Sequence, residues 1–206
     1  MHMKLERKIV RNILESMNEK VVSKKQMINA FRDVLQVNHP ENIIVQLRKN
    51  KDILYVFKGY YYILNPIEQK GSFTKYSINE MVYVVLNKLN MKWYLGLESA
   101  LERNNLIWQA VVSPVIINSE FSGKRTILGV TYQFHKMKRE KLEFGYVRKT
   151  TKNRVTFYYS DPEKTYLDYL HLHKKPPSEI STINNRQLQS YLKQYSKNFR
   201  KKVLYA

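Results

Sequence analysis

Pro40-Glu-Asn-Ile-Ile-Val-Gln-Leu-Arg-Lys49, then Asp52-Ile-Leu-Tyr-Val-Phe57, Lys58-Gly59 and Tyr60-Tyr-Tyr-Ile-Leu64, reads as a short helix running into a tight hairpin. Proline suits a first helical turn, where its missing amide has no intrahelical partner, and Glu41 meets the positive end of the helix dipole. Ile43, Ile44 and Leu47 form one side of this helix. Asn42, Val45, Gln46 and Lys49, spaced i, i+3, i+4 and i+7, form the other, with Arg48 at its edge. The two β-prone runs flank a two-residue turn containing glycine, which is the signature of a hairpin.

Working back toward residue 1, Leu5, Ile9, Val10, Ile13, Leu14 and Met17 recur at helical steps and mark a first helix with one apolar stripe. Ser23-Lys-Lys-Gln26 fits a capping box and opens a second helix, whose expected buried set is Met27, Ile28, Phe31, Val34 and Leu35. It should stop before Asn38-His39-Pro40, because proline disfavours helical geometry in the residue ahead of it. Three helices and a hairpin predict a winged helix-turn-helix over residues 1–66. In that arrangement the third helix enters the major groove, where amide side chains pair with adenine edges and cations with guanine. Asn42, Gln46 and Lys49 are the expected base readers. Lys24, Lys25, Arg48 and Lys58, with Tyr60 beside the turn, are the expected backbone contacts, helped by the free amides at the start of the second helix. Lys58-Gly-Tyr-Tyr-Tyr-Ile-Leu64 partly matches the aromatic octamer of RNA-recognition motifs, but Tyr61 stands where a small residue is needed and the preceding helices do not fit that fold.

Asn65-Pro66 ends the hairpin, and the polar run to Ser72 places a linker at about 66–74, with a second domain over residues 74–206. There, Ser77-Ile-Asn-Glu80 caps a helix carrying Met81, Val82, Val85, Leu86 and Leu89, and a further helix is expected over 95–104. The stretches 111–118, 126–137, 142–147 and 154–160 are rich in β-branched and aromatic residues and predict an antiparallel sheet. Asp161-Pro162-Glu163 caps another helix, and one last basic helix is expected over 184–200. The fold class read from the sequence is α+β, a winged helix-turn-helix followed by a larger mixed α/β domain.

Composition narrows the function. The 206 residues carry a formal charge of +19 and no cysteine, which excludes disulfides, thiolate zinc sites and cysteine nucleophiles. No apolar run approaches the roughly 18 to 20 residues of a membrane span, and the first residues lack the apolar stretch of a signal peptide, so a cytoplasmic protein with no membrane partner is expected. With four aspartates, Asp33, Asp52, Asp161 and Asp168, a two-metal nuclease has little to build with. His171 and His173 lie about 200° apart on a helix and cannot share a metal. There is no glycine-rich phosphate loop and no serine elbow. No cofactor, no metal and no catalysis are expected.

Three stretches of the second half carry a resemblance. Trp93-Tyr-Leu-Gly-Leu-Glu-Ser-Ala-Leu-Glu102, Lys124-Arg-Thr-Ile-Leu-Gly129 ahead of a strand, and Ser160-Asp-Pro-Glu-Lys-Thr-Tyr-Leu-Asp168 together resemble the AbiEi family, the type IV antitoxins of abortive-infection systems. With the winged helix in front, the likeness runs over nearly the whole chain in the family's order. It implies an N-terminal domain that binds double-stranded operator DNA and represses its own operon. It also implies a C-terminal domain that counters a nucleotidyltransferase-type toxin. The alternative is a winged-helix regulator without a toxin, whose larger domain dimerises or senses a ligand; a third is a basic nucleic-acid enzyme. Winged-helix proteins often read an inverted repeat as two copies, so a homodimer on DNA is compatible with the sequence without being required by it.

Between residues 124 and 154 ten cations oppose two acids, a surplus of eight. Lys124, Arg125, Lys136, Lys138, Arg139, Arg148 and Lys149 are read as a basic patch of the second domain, either a solvated sheet edge or a surface for phosphates or an acidic protein.

Overall fold

The structure, a computed structural model, describes residues 2–71, 73–180 and 182–204, with side chains from residue 8 to 203. The side chain of Leu5 and all of Ser72, both used in the sequence reading, lie outside the described residues. The chain is a mixed α+β protein that divides into two compact units, residues 1–85 and 86–206. The division falls inside a helix, later than the linker expected at 66–74.

In the first unit α1 (His2–Ser16), β1 (Val21–Ser23), α2 (Lys24–Leu35), α3 (Pro40–Lys49), β2 (Ile53–Phe57) and β3 (Tyr60–Ile63) follow in order. The strands form an antiparallel sheet in the order β1-β3-β2. Val10, Ile13, Leu14, Met27, Phe31, Ile44, Leu47 and Ile53 make one core, so the apolar stripes of the three helices converge as their periodicity requires. Two expected core members do not join it. Ile9 is 39% and Val34 59% exposed, because each sits at the margin of a stripe narrower than the count of apolar residues suggested.

Lys58 and Gly59 both have positive φ, 51° and 78°, which gives the turn the twist a two-residue hairpin needs. A bulge at Val56 shifts the register between β2 and β3. The polar run after the hairpin is not a simple linker. Pro66–Lys70 forms helix α4, with Asn65 accepting from the Glu68 amide and Glu68 accepting from the Asn65 amide, both at 2.8 Å. Helix α5 (Ile78–Lys88) begins at the expected box, with Ser77 and Glu80 bonded reciprocally.

The second unit is built on a six-stranded sheet in the order β6-β7-β5-β4-β9-β8. Its strands are β4 (Trp93–Leu95), β5 (Val115–Asn118), β6 (Gly123–Ile127), β7 (Val130–Lys136), β8 (Tyr146–Thr150) and β9 (Thr156–Ser160). The expectation of a purely antiparallel sheet is corrected here: β5 pairs with β7, and β4 with β9, in parallel. Strand β6 leaves β5 and turns back at the sheet edge, so β7 returns in the direction of β5. The three-residue strand β4, absent from the sequence reading, supplies the central rung between β5 and β9. Helix α6 (Glu98–Arg103) follows β4, and α7 (Pro162–His173) follows β9 with Asp161 as its N-cap. The single terminal helix expected over 184–200 is two, α8 (Asn185–Leu192) and α9 (Lys197–Leu204).

Candidate nucleic-acid interface

The helical repeat of α3 separates two faces. Ile44 and Leu47 are buried, whereas Asn42, Val45, Gln46, Arg48 and Lys49 are exposed. At the C-terminal end of this face the Arg48 guanidinium lies over the Tyr55 ring at 5.7 Å, and Tyr55 in turn meets the edge of Tyr61 at 5.4 Å. A half-exposed tyrosine of β2 therefore fixes the bearing of Arg48 by a cation–π contact. Tyr55 was not among the expected site residues; its place at an outward strand position, in line with a helix-terminal arginine, was the only available cue.

A second set of cations converges at the hairpin turn. Ser23 pairs with Tyr60 across β1 and β3, and the Lys24 amide donates to the Gly59 carbonyl at 2.7 Å. The start of α2 and the turn are thus one backbone assembly that carries Lys24, Lys25 and Lys58, all exposed. The free amides expected at that helix end are partly engaged: the Lys24 amide is bonded to Gly59 and the Gln26 amide to the Ser23 hydroxyl at 3.1 Å. Contact with a phosphate would fall to the lysine side chains. Tyr60 is half-buried, and Tyr61 and Tyr62 are buried, so the aromatic run has no open ring platform of the kind RNA-recognition motifs use.

Below the hairpin, one carboxylate holds several segments together. Glu68 accepts from the Tyr62 hydroxyl at 2.5 Å, the Lys20 ammonium at 2.6 Å and the Lys75 amide at 2.7 Å, besides its bond to the Asn65 amide. Burial would raise its pKa, but these donors outweigh burial and hold it down to about 2. Burial and the adjacent Glu68 push the Tyr62 hydroxyl up.

The basic patch of the second unit is not one surface. Lys124 and Arg125 lie on β6 and Arg148 and Lys149 on β8, the two opposite edges of the sheet. Five interstrand steps separate them, on the order of 24 Å. Lys136 ends β7, and Lys138 and Arg139 lead into the 3-10 turn Arg139–Leu142, where Arg139 pairs with Glu143 at 3.5 Å. Residues adjacent in sequence are divided here by the strand order.

Two of the three stretches behind the family resemblance, 93–102 and 160–168, meet in the interior, whereas 124–129 lies along the exposed edge strand β6. Lys164 and Asp168, one turn apart on α7 and fully buried, form an ion pair. The Tyr94 hydroxyl donates to Asp168 at 2.8 Å, and Lys164 reaches the Tyr195 hydroxyl at 3.3 Å. Burial pushes the Lys164 pKa down and those of Asp168 and Tyr94 up. Asp161 accepts from the Lys164 amide at 2.8 Å, as a helix cap should, and from the Tyr191 hydroxyl at 2.7 Å. Between β4 and α6 the chain turns through Leu97 at φ 50° and ψ −130°, beside Gly96, where a Cβ would stand 2.4 Å from Ile117. Hydrolases place a nucleophile on a strand-to-helix turn of this kind, but here the residue is a buried leucine with no chemistry to offer. The His173 ring lies 6.2 Å from His135 and the His171 ring 5.5 Å from Phe199, and among the described residues no group of three histidines, cysteines or carboxylates is close enough to hold a metal.

No protein-family model matches the chain, and no curated protein sequence matches it. Among solved structures, the crystal structure of the RV2827C protein from Mycobacterium tuberculosis is similar, with a TM-score of 0.61 over 96% of this chain and 74% of that one, at 11% identity. A likeness at that identity shows the fold, mixed α+β. No helix among the described residues is long and apolar enough to cross a membrane.

Proposed function

We propose that the chain is a DNA-binding transcriptional repressor whose N-terminal unit is a winged helix-turn-helix and whose second unit is the antitoxin of a type IV toxin–antitoxin pair. The observation that carries the DNA-reading half is the exposed amide and cationic face of α3, flanked by cations on one backbone assembly at the hairpin turn. Asn42, Gln46 and Lys49 read base edges, while Lys24, Lys25, Arg48 and Lys58 hold phosphates on either side. The antitoxin half rests on the resemblance of 93–102, 124–129 and 160–168 to the AbiEi family, with a nucleotidyltransferase-type toxin as the partner.

Two measurements test the halves separately. Titration of the chain's own promoter and a scrambled duplex of equal length, at one salt concentration, should show tighter binding to the promoter; equal affinities would remove the repressor. A toxic nucleotidyltransferase should be encoded beside the gene, and co-expression of the full chain should restore growth; no such neighbour, or growth arrest in the presence of the full chain, would remove the antitoxin. A second reading, a winged-helix regulator with a ligand-sensing domain, is favoured by one observation, a cavity in the second unit between α7 and α9.

A further inference from the structure

Helices α7 and α9 and the 3-10 turn before β8 border an open-mouthed cavity of about 650 Å³, within the range of small-molecule sites. Its lining includes Lys141, Lys174, Lys202 and His171 with the apolar Phe199 and Leu170. Among the described residues no carboxylate lines it. We propose that this cavity binds a small phosphate ester carrying a flat ring, the nucleoside-phosphate class.

Charge supports the anionic half. Lys141 lies 3.3 Å from the His171 ring nitrogen and 5.2 Å over the Tyr195 ring, so it faces a neutral donor-acceptor and a π surface. Burial, with Lys141, Lys174 and Lys164 nearby, holds His171 down to about 4, and burial lowers Lys141 as well. At neutral pH the imidazole is therefore uncharged, and the acids that act on Lys141, Glu140 and Asp168, stand outside the lining. A phosphate dianion would supply negative charge there and relieve the repulsion among the lysines. The C-terminal end of α7 would repel an anion, but Lys174 covers it by donating to the His171 carbonyl at 3.0 Å.

Shape supports the ring. Phe199 stacks on Tyr195 at 4.6 Å with 23° between planes, and His171 meets the edge of Phe199 at 5.5 Å. Phe199 and His171, both in the lining, set an aromatic surface beside Lys141, Lys174 and Lys202, with Tyr195 behind Phe199, as a ligand with a charged end and a planar end requires. The inference does not depend on DNA reading by the first unit.

Calorimetric titration of the full chain with AMP, ATP, adenosine and inorganic phosphate at physiological salt tests it. AMP or ATP should saturate one site per chain, phosphate should bind more weakly, and adenosine weakest. Replacing two exposed cavity lysines, Lys174→Gln with Lys202→Gln, should weaken the nucleotide at least tenfold with the melting temperature unchanged. Removing the same two charges from exposed positions outside the cavity, Lys175→Gln with Lys193→Gln, should leave affinity within twofold. Phe199→Leu should weaken the nucleotide and spare phosphate. Equal losses from both lysine pairs would reduce the effect to general attraction by a +19 protein and overturn the site. Phosphate binding as tight as nucleotide would overturn the ring, and no saturable binding would overturn the whole.

Discussion

Lys58 occupies a backbone position that costs a lysine something. At φ 51° an L-residue with a Cβ is disfavoured by roughly 1 kcal/mol, whereas asparagine or glycine is at ease there. A turn selected for stability alone would carry asparagine. Lys58→Asn should therefore raise stability by about 0.5 to 1 kcal/mol in urea melts while weakening binding to every duplex, with the salt slope shrinking by about 0.9 for one lost phosphate. A stabilised variant with unchanged DNA affinity would take Lys58 off the interface. Gln46→Ala should behave differently: the preference for operator over scrambled duplex falls by on the order of 1 to 3 kcal/mol, and scrambled binding is spared. Deeper in the chain, the buried pair of Lys164 and Asp168 makes an asymmetric prediction. Asp168→Ala strands a charge and should destabilise by roughly 3 to 5 kcal/mol, whereas Lys164→Met with Asp168→Leu should recover most of that loss. Denaturant midpoints of the three proteins decide it, and a double variant no better than the single would show that the pair itself stabilises the unit.

At the scale of elements, helix α4 shows what a capping signal does when it is overlooked. Asn65-Pro66-Ile67-Glu68 carries an N-cap, a first-turn proline and an N3 glutamate, yet the run reads as linker because no apolar stripe follows. The structure uses it to close the hairpin: Glu68 gathers Tyr62, Lys20 and Lys75. Its pKa, lowered from 4.5 to about 2, sets the sign of a pH effect. The folded state binds this proton less readily than the unfolded one, so the stabilisation is complete above pH 4.5 and fades as pH falls toward 2. Between pH 6 and pH 3 the wild type should lose on the order of 2 kcal/mol that Glu68→Gln does not lose, and parallel pH profiles would refute the assignment. The helices of the first unit were legible because Met27, Phe31, Ile44 and Leu47 repeat strongly enough to be read from spacing alone. Strands β1 and β4 were not, since three residues cannot establish a period of two. Without β4 the parallel pairing of β4 with β9 is not legible, and reading 126–137 as one strand conceals the β6–β7 hairpin that sets β7 parallel to β5; together these separate Lys124 and Arg125 from Arg148 and Lys149.

For the whole molecule, the charge is unevenly shared. Residues 1–85 carry 14 cations against 8 acids, a surplus of six, and residues 86–206 carry 22 against 9, a surplus of thirteen. The four phosphate-holding cations proposed in the first unit account for a salt slope of about −3.6, at roughly −0.9 per contact. A steeper dependence would need further cations, and the second unit holds 22 of the 36. Four of its cations stand on the two opposite sheet edges, Lys124 and Arg125 on β6 and Arg148 and Lys149 on β8, so a duplex docked along one edge leaves the other without contacts. Measured on operator DNA, Lys124→Gln with Arg125→Gln and Arg148→Gln with Lys149→Gln should differ: one pair should reduce the slope by about 1.8 and the other should leave it nearly unchanged. The silent edge is then the surface to probe for an acidic protein partner, using the same paired substitutions in the growth-rescue experiment. Equal reductions from both pairs would mean that the second unit attracts DNA through its overall charge rather than through a docked edge, since a diffuse field weakens alike wherever two charges are removed.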